Sequence, residues 1–251
     1  MNPKIVHFCW FGKTPKDYMA SKCIKSFNKL EGVKIIEWNE SNCNINENKY
    51  IYDAYNQKLW AFVSDYFRLK ALYEYGGIYF DTDVEIRKPF PDDFFKADLV
   101  LGYMYECVIS TAIIMAKPKC PYIKGLLDLY EHMNLRKDLP NNAIFNDFTF
   151  KNYPNFRLNG KFREFEPNYF IYPRYYFEVP TYGKDGGYSV HHFMGSWHHK
   201  NGKVKKVIRR LFKWSRFHFR PLDWWYQNYF RNKLLKRSRY YGKYIEDTQN
   251  S

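Results

Sequence analysis

The sequence predicts an α/β fold built on a sheet whose first strands run parallel, and three observations lead to this prediction. Residues 4–38 read as a strand, a helix and a second strand, which implies a parallel pair joined by a right-handed crossover. A long helical signal then ends at Gly76-Gly77, and an apolar strand follows directly. Two carboxylates, Asp81 and Asp83, come at the end of that strand. Ligands bind at the carboxyl edge of such sheets, so functional groups are expected there.

The first two strands are short apolar segments at residues 4–10 and 33–38. Between them, Thr14 has the residue type of a helix cap, Pro15 suits the first helical position and Asp17 is an acid three residues after the cap. We therefore predict that the first helix begins just after Thr14. Its apolar face is formed by residues at helical spacing, namely Met19, Ala20, Cys23, Ile24 and Phe27.

Trp10 and Asn39 lie where the first two strands end. Both are predicted to contact a ligand, because the carboxyl edge of an open α/β sheet is where ligands bind. An indole in that place can stack on a nucleobase. Spacing alone, however, favours a core-packing role for Trp10.

The longest helical signal, residues 60–75, contains Asp65 and Arg68. Residues three apart are neighbours on a helix surface, so these two side chains can pair. One interpretation is an ordinary surface ion pair that contributes about 0.2–0.5 kcal/mol. The other is that the pair faces the same cleft as Asp81, since this helix passes directly into the acidic strand.

Asp81 and Asp83 are separated by one small residue, Thr82. In an extended chain, residues two apart point the same way, so both carboxylates can converge on one ion or one diphosphate. Sites for Mg²⁺ or Mn²⁺ commonly combine one or two protein carboxylates with substrate phosphate and water. The alternative, which an isolated Asp-x-Asp match would favour, is a solvated strand end.

The later chain has fewer regular patterns. Residues 99–105 and 110–116 are predicted to be strands and residues 122–132 a helix. Residues 140–180 lack a clean period and are predicted to be irregular with short strands.

Four histidines lie within residues 191–199, in two adjacent pairs whose spacing does not match a zinc-binding helix. Neighbouring strand residues point to opposite sides, so at most one of His191 and His192 faces a given site. The segment Gly195-Ser196-Trp197 lies between the pairs and is predicted to be a loop that closes over a ligand.

Six segments together follow the order of a known family, namely residues 3–12, 36–39, 62–69 and 75–84, His191-His192 and Gly195-Ser196-Trp197. They resemble glycosyltransferase family 32, which includes bacterial capsular polysaccharide enzymes and their relatives among yeast initiating mannosyltransferases and clostridial glucosylating toxins. The resemblance implies a GT-A fold, with a Rossmann-like mixed sheet, and retaining transfer of a hexose from a UDP-sugar with Mn²⁺ or Mg²⁺.

The resemblance also implies roles for residues that would bind the donor. Trp10 would stack on uracil, and Asp81 would contact the ribose and the sugar. Asp65 and Arg68 would hold sugar hydroxyls and phosphate. Together with Asp83, Asp81 and Arg68 are the predicted catalytic residues.

A second set of implied roles concerns the metal and the diphosphate. Asp83 would bind the metal directly, with Asp81 beside it and His192 as a further metal or phosphate contact. Ser196 and Trp197 match a loop that closes over the metal site and the β-phosphate.

Two parts of the mechanism depend on residues outside these motifs. Retention proceeds either by same-face attack within an ion pair or through a covalent intermediate, which needs a carboxylate beneath the anomeric carbon. Glu106 is the candidate for that carboxylate, by its place after a predicted strand. Residues 141–144 depart from the family pattern in a region that shapes the acceptor pocket, so the family does not specify the acceptor.

The charge of the chain is concentrated near its end. Residues 200–243 contain 15 Lys or Arg and one acid, an excess that equals the net charge of +14 for the whole chain. We therefore divide the chain into a catalytic domain, residues 1–199, and a basic helical tail, residues 200–251. Apolar and aromatic residues alternate with the charges, which is typical of a helix at an anionic membrane surface. Such a tail suits an acceptor saccharide on a lipid diphosphate carrier.

The composition and the N-terminus favour a cytoplasmic protein bound to the inner face of the cell membrane. The five cysteines are odd in number and include no Cys-x-x-Cys, and no signal peptide or spanning segment is predicted. A charged helix packed on the catalytic domain is one alternative for the tail. No nucleic acid is expected as a partner, although a nucleic-acid-binding protein and a metal-dependent phosphohydrolase are the alternative functions.

Overall fold

The computed structural model describes residues 1–181, 184–194, 232–233 and 235–250, and its framework is a mixed β-sheet. Seven strands of this sheet lie side by side, and a short further strand pairs with one of them. The order across the sheet is β2 (Lys34–Trp38), β1 (Ile5–Cys9), β3 (Gly77–Phe80), β7 (Ile113–Ala116), β5 (Leu99–Tyr105), β9 (Tyr169–Tyr172) and β8 (Arg163–Glu166), with β6 (Val108–Ile109) beside β5.

The directions of the strands determine which residues lie at the carboxyl edge of the sheet, where ligands are expected to bind. β1 runs parallel to β2 and β3, whereas β7 runs antiparallel to both β3 and β5, and β5 runs parallel to β9. Because β1, β2, β3, β5 and β9 share one direction, their carboxyl ends lie at one edge of the sheet. This mixed, Rossmann-like sheet with helices packed on it confirms the predicted α/β fold class.

The sheet is buried on both faces, which explains why its strands read as continuous apolar runs. Ile78 and Phe80 point into one hydrophobic cluster, whereas Tyr79 between them points into the other. The described α-helices include α1 (Tyr18–Ser26), α2 (Lys49–Asn56), α3 (Trp60–Tyr75), α4 (Asp92–Lys96), α5 (Pro121–His132), α6 (Asn141–Asn152), α7 (Arg174–Phe177) and α8 (Tyr241–Gln249).

Helix α1 begins later than the sequence predicts. Asp17 is the capping residue, and its Oδ1 accepts a hydrogen bond from the backbone N–H of Ala20 at 2.8 Å. Thr14 lies in the preceding loop, where its carbonyl accepts a hydrogen bond of 2.7 Å from Trp10 Nε1. Asp17, which the sequence predicts inside the first turn, is therefore the capping residue.

Helix α6 occupies a region that the sequence predicts to be irregular. Its buried positions include Asn141, Asn146 and Thr149, whose polar side chains have hydrogen-bonding partners inside the protein. Burial of polar residues removes the alternation of apolar and polar faces by which an amphipathic helix is detected. The prediction was wrong here because tertiary hydrogen bonds replace apolar packing.

The connection from α3 to β3 has a fixed geometry. Gly76 and Gly77 have φ values of 65° and 104°, and a Cβ on Gly77 would lie 2.4 Å from the carbonyl oxygen of Ile5. His7 Nε2 donates to the carbonyl of Gly76 at 2.8 Å, and His7 Nδ1 accepts from Trp38 Nε1 at 3.0 Å. Hydrogen bonds of His7 on β1 and Trp38 on β2 thus fix the position at which β3 begins.

A second, two-stranded sheet joins distant parts of the chain. β4 (Val84–Ile86) pairs antiparallel with β10 (Ser189–His191), and His191 lies opposite Val84. The backbone N–H of His192 continues this pairing with a hydrogen bond of 2.9 Å to the carbonyl of Asp83. The histidine segment is therefore placed beside the two carboxylates.

The last described part of the chain packs against the α/β body. Leu235 and Tyr240 are buried in the larger hydrophobic cluster. Tyr240 Oη donates to Asp147 Oδ1 at 2.8 Å, and Asp247 Oδ2 accepts a hydrogen bond of 2.7 Å from the N–H of Leu158. Within the described residues, no helix combines the length and the apolar character required to cross a membrane.

Candidate functional site

Asp81 and Asp83 lie in the turn between β3 and β4. The N–H of Asp81 donates to the carbonyl of Ala112 at 2.8 Å, and the N–H of Val84 donates to the carbonyl of Asp81 at 3.0 Å. One ligand atom from each of Asp81, Asp83 and His191 lies within 4.8 Å of the others. The two acids converge as expected, but a turn rather than strand alternation brings them together.

Arg68 links Asp65 on the same helix to Asp81. Its Nη2 lies 2.9 Å from Asp65 Oδ1 and its Nη1 lies 3.3 Å from Asp81 Oδ1. Nη1 also donates to the carbonyl of Thr111 at 2.7 Å, and the guanidinium carbon lies 4.6 Å from the centre of the Tyr79 ring. With only 5% of its side chain exposed, Arg68 is not a surface residue. The pair is therefore buried beside Asp81 and is not an ordinary surface ion pair.

Asp65 is held by two residues that the sequence did not indicate. Asn141 Nδ2 donates to Asp65 Oδ1 at 2.8 Å, and Tyr130 Oη donates to Asn141 Oδ1 at 2.8 Å. Burial raises the pKa of Asp65 to about 6, although the charge of Arg68 acts in the opposite direction. Asn141 lies in the segment that departs from the family pattern, so sequence comparison gave no signal for it.

The two carboxylates of the Asp-x-Asp pair have opposite pKa shifts. Burial raises the pKa of Asp81, whose Oδ1 also accepts a hydrogen bond of 2.9 Å from Tyr79 Oη. Burial alone would raise the pKa of Asp83, but the charge and hydrogen bond of His191 lower it to about 2. Met194 contributes through a backbone N–H that donates to Asp83 Oδ2 at 2.7 Å. Asp83 is therefore the more firmly ionised of the two.

His191 lies between Asp83 and a third carboxylate. Its Nε2 is 3.3 Å from Asp83 Oδ1, and its Nδ1 donates to Glu178 Oε2 at 2.7 Å. Burial alone would lower the pKa of His191, but Glu178 and Asp83 raise it well above its ordinary value. Without a metal, this imidazole is thus stabilised as a cation.

His192, which the sequence analysis selected as a metal contact, faces away from this cluster. Its Nε2 lies 2.9 Å from Glu85 Oε2, and Lys22 Nζ lies at the same distance from that oxygen. Because neighbouring residues of a strand point to opposite sides, only one of the two histidines can face Asp83. The structure places His191 there instead of His192.

Three comparisons with known proteins bear on this site. Residues 16–101, about a third of the chain, match the model of a family described as "Glycosyltransferase sugar-binding region containing DXD motif". The matched residues include the Asp-x-Asp pair Asp81 and Asp83. Among solved structures, it is similar to one titled "PaToxG Glycosyltransferase", with a TM-score of 0.48 and 17% identity over 61% of this chain and 71% of that chain. A search of curated protein sequences finds no significant match.

The matched region contains five of the predicted site residues. It includes the carboxylates Asp65, Asp81 and Asp83, the cation Arg68 and the amide of Asn39. His191 lies outside it and reaches the cluster through β10. The candidate metal site therefore combines the matched region with a distant strand.

Trp10 and Asn39 lie at the same sheet edge as Asp81, because β1, β2 and β3 are parallel. Trp10 is half-buried, and Lys16 Nζ lies 5.6 Å from the centre of its ring. The Asn39 amide is used locally, because its Oδ1 accepts from the N–H of Ser41 at 2.8 Å and its Nδ2 donates to Glu37. The structure thus gives Trp10 a ring that is partly accessible at the edge, and gives Asn39 a role in ordering the loop after β2.

Other predicted site residues lie elsewhere. Ser196 and Trp197 are outside the described residues. Glu106 follows β5 at the carboxyl edge of the sheet, and its Oε1 lies 4.0 Å from Nη1 of the buried Arg174. The structure places Glu106 on the far side of β7 from Asp81, across the sheet.

Proposed function

We propose that the chain is a retaining, metal-dependent glycosyltransferase of family 32 that transfers a hexose from a UDP-sugar to a glycan on a lipid diphosphate carrier. The observation that carries the proposal is the convergence of Asp81, Asp83 and His191 beside the buried Asp65–Arg68 pair. The enzyme would act in capsular or related surface polysaccharide synthesis, at the cytoplasmic face of the membrane.

The residues present fit Mn²⁺ or Mg²⁺. Ligands on opposite sides of an ion lie about 4–5 Å apart, twice the bond length, so the three ligand atoms are close enough to share one ion. Two carboxylates suit either cation, and the imidazole favours Mn²⁺ because Mg²⁺ takes oxygen ligands. Asp83 and Asp81 remain the proposed carboxylate ligands, and His191 replaces His192 as the proposed histidine ligand.

A bound cation would supply positive charge at the diphosphate, which is the leaving group. The chain's own residues would orient the donor. Arg68 is fixed by Asp65, Asp81 and a backbone carbonyl, so its charge keeps one position while the sugar binds. Asp65 and Arg68 are proposed to hold sugar hydroxyls and phosphate, and Trp10 is proposed to stack on the uracil. Ser196 and Trp197 are proposed to close over the β-phosphate.

Retention of configuration has two routes, and they place different demands on the chain. Same-face attack within an ion pair requires only the charges already described. A covalent route would require a carboxylate beneath the anomeric carbon, for which Glu106 is the candidate. The anomeric configuration of the product, determined by NMR, tests retention itself, and trapping of a sugar on Glu106 would favour the covalent route.

A donor screen tests the proposal. The chain is incubated with a panel of UDP-sugars and Mn²⁺, and the released nucleotide and the product are identified by mass. Asp83→Asn is expected to abolish transfer while leaving the fold intact, because it removes a charged ligand and keeps the side-chain volume. Asp93→Asn, at an exposed position of α4, is the matched control and should retain activity.

Two outcomes would contradict the proposal. Transfer by the Asp83→Asn variant at the wild-type rate would show that this carboxylate is not required. Release of free sugar without any transfer to an acceptor would favour the alternative of a metal-dependent phosphohydrolase.

A further inference from the structure

Glu178 is a buried carboxylate to which the proposed reaction assigns no role. It follows α7, and none of its surface is exposed. A buried charge is stabilised only where hydrogen bonds or opposite charges compensate the loss of water. The partners of Glu178 therefore indicate what it does.

Both carboxylate oxygens of Glu178 have partners within the protein. Oε2 accepts a hydrogen bond from His191 Nδ1 at 2.7 Å, and Oε1 accepts one from Ser110 Oγ. The backbone carbonyl of Glu178 also accepts from the N–H of His191 at 2.9 Å. Since neither oxygen is directed to solvent, Glu178 does not itself bind substrate.

Ser110 also connects Glu178 to the turn that contains Asp81 and Asp83. Ser110 Oγ accepts a hydrogen bond of 3.2 Å from the N–H of Ala112, whose carbonyl accepts from the N–H of Asp81 at 2.8 Å. His191 Nε2 in turn lies 3.3 Å from Asp83 Oδ1. The hydrogen bonds therefore run from Asp81 through residues 110–112 and Glu178 to His191 and back to Asp83.

We propose that Glu178 is a positioning residue for the metal site, and that Ser110 fixes Glu178 in turn. By accepting the Nδ1–H of His191, Glu178 directs Nε2, the only other ring nitrogen, towards Asp83 and Asp81. A carboxylate that accepts from a ligating histidine fixes the orientation of the ring and increases its basicity. This inference rests on the proposed function, because it assumes that the Asp81–Asp83–His191 cluster binds a cation.

The chain contains a matched control for this arrangement. Glu85 lies 2.9 Å from His192, as a second glutamate–histidine pair on the adjacent residue. Its side chain is 10% exposed, and it also pairs with Lys22 at 2.9 Å. Glu85→Gln removes the same charge from a similar contact, but on the side of the strand that faces away from Asp83.

Calorimetric titration with Mn²⁺ alone tests the proposal. Glu178→Gln keeps the volume of the side chain, but its amide NH₂ must face either His191 or Ser110, so one of the two contacts is altered. We expect Mn²⁺ to bind about 10–100-fold more weakly, the usual effect of removing such a partner. Glu85→Gln should bind Mn²⁺ within about twofold of the wild type, because it does not contact a ligand.

A double-mutant cycle distinguishes positioning from a general loss of structure. If Glu178 acts through His191, Glu178→Gln should weaken Mn²⁺ binding in the wild type but have little further effect when His191 is already Gln. The ¹⁴N modulation in the spin-echo spectrum of bound Mn²⁺ should be present in the wild type and diminished in Glu178→Gln. Ser110→Ala keeps the Glu178 carboxylate and should show a smaller loss of Mn²⁺ affinity. This variant replaces Glu178→Gln in the test if Glu178→Gln does not fold.

The outcomes separate this inference from the proposed function. If the wild type binds Mn²⁺ and Asp83→Asn does not, the metal site is supported whatever Glu178 does. Unchanged Mn²⁺ affinity in both Glu178→Gln and Ser110→Ala would then overturn the positioning role alone. An equal loss with and without His191 would also overturn it. Absence of Mn²⁺ binding by the wild type would overturn both.

Discussion

Arg68 has partners on several sides, and this separates it from an ordinary arginine on a helix surface. Its guanidinium contacts the carboxylates of Asp65 and Asp81, the carbonyl of Thr111 and the ring of Tyr79. A planar group with donors in a fixed fork can satisfy two carboxylates and a carbonyl at once. The residue therefore couples the stability of the buried site to the position of Asp81.

Arg68→Lys should damage both stability and activity although the charge is kept. A lysine ammonium cannot span Asp65, Asp81 and the Thr111 carbonyl together, so a buried acceptor loses its partner. We expect the free energy of unfolding in urea to fall by about 2–4 kcal/mol. The specificity constant for the sugar donor should fall by about 100-fold, since a fixed charge near the reacting group is lost.

The control for this variant is Arg136→Lys, which changes an exposed arginine paired with Asp138. It should leave the unfolding midpoint and the donor kinetics at the wild-type values. Wild-type stability in Arg68→Lys would show that the guanidinium contacts contribute nothing beyond their charge.

At the scale of secondary-structure elements, the junction of α3 and β3 delivers the carboxylates to the sheet edge. His7 on β1 binds the carbonyl of Gly76 and accepts a hydrogen bond from Trp38 on β2, so three elements meet at one imidazole. These two contacts require a neutral ring with its proton on Nε2. The junction is therefore sensitive to protonation of His7.

Stability should decrease at acidic pH through His7. Burial lowers the pKa of His7 from 6.5 to about 4, so the unfolded state takes up this proton first as the pH falls. The contribution of the neutral His7 to the free energy of unfolding is complete above pH 6.5 and is lost progressively as the pH falls to about 4. Between about pH 7.5 and about pH 4.5 the loss amounts to about 2–3 kcal/mol.

Urea unfolding at several pH values, for the wild type and for His7→Gln, measures this contribution. Glutamine does not titrate, so the stability difference between the two proteins should shrink by that amount on acidification. Parallel pH profiles would mean that His7 keeps its ordinary pKa in the folded protein.

At the scale of the whole molecule, the basic excess belongs to a segment whose described ends both contact the α/β body. The N–H of Met194 binds Asp83 at the site, and Leu235 is buried in the larger cluster. Residues 200–231, which hold most of the excess, lie outside the described part of the chain. Removal of residues 200–251 would therefore also remove Leu235, Tyr240 and Asp247 from their contacts with the body.

Charge reversal is thus a better test of membrane binding than truncation. Lys205→Glu with Lys206→Glu should weaken binding to anionic liposomes about 10-fold or more, because each basic residue near such a surface contributes about 1 kcal/mol. Lys25→Glu with Lys137→Glu, at exposed positions of the body, is the control with the same change in net charge. Equal binding by both variants would contradict a membrane role for the segment, and preferential binding to RNA would favour the nucleic-acid alternative.

The parts of the protein that could be predicted from sequence depend on local signals. The strand–helix–strand opening, the helix with Asp65 and Arg68, and the carboxylates after Gly76-Gly77 are all read within a few residues of one another. Errors arose where tertiary contacts act instead. The cap of α1 was predicted at Thr14, which instead lies in a loop where its carbonyl accepts a hydrogen bond from Trp10. Helix α6 was not predicted, because it buries Asn141 through hydrogen bonds.

The α/β fold class and the positions of the acids could be predicted from residue order alone, because buried strands read as apolar runs and glycines follow the ends of helices. The contact of His191 rather than His192 with Asp83, and the contacts of Glu178 and Asn141 at the site, depend on tertiary structure. These residues reach the site through the pairing of β4 with β10 and the packing of α6 near α3. Pairing of segments distant along the chain leaves no periodic pattern in either one.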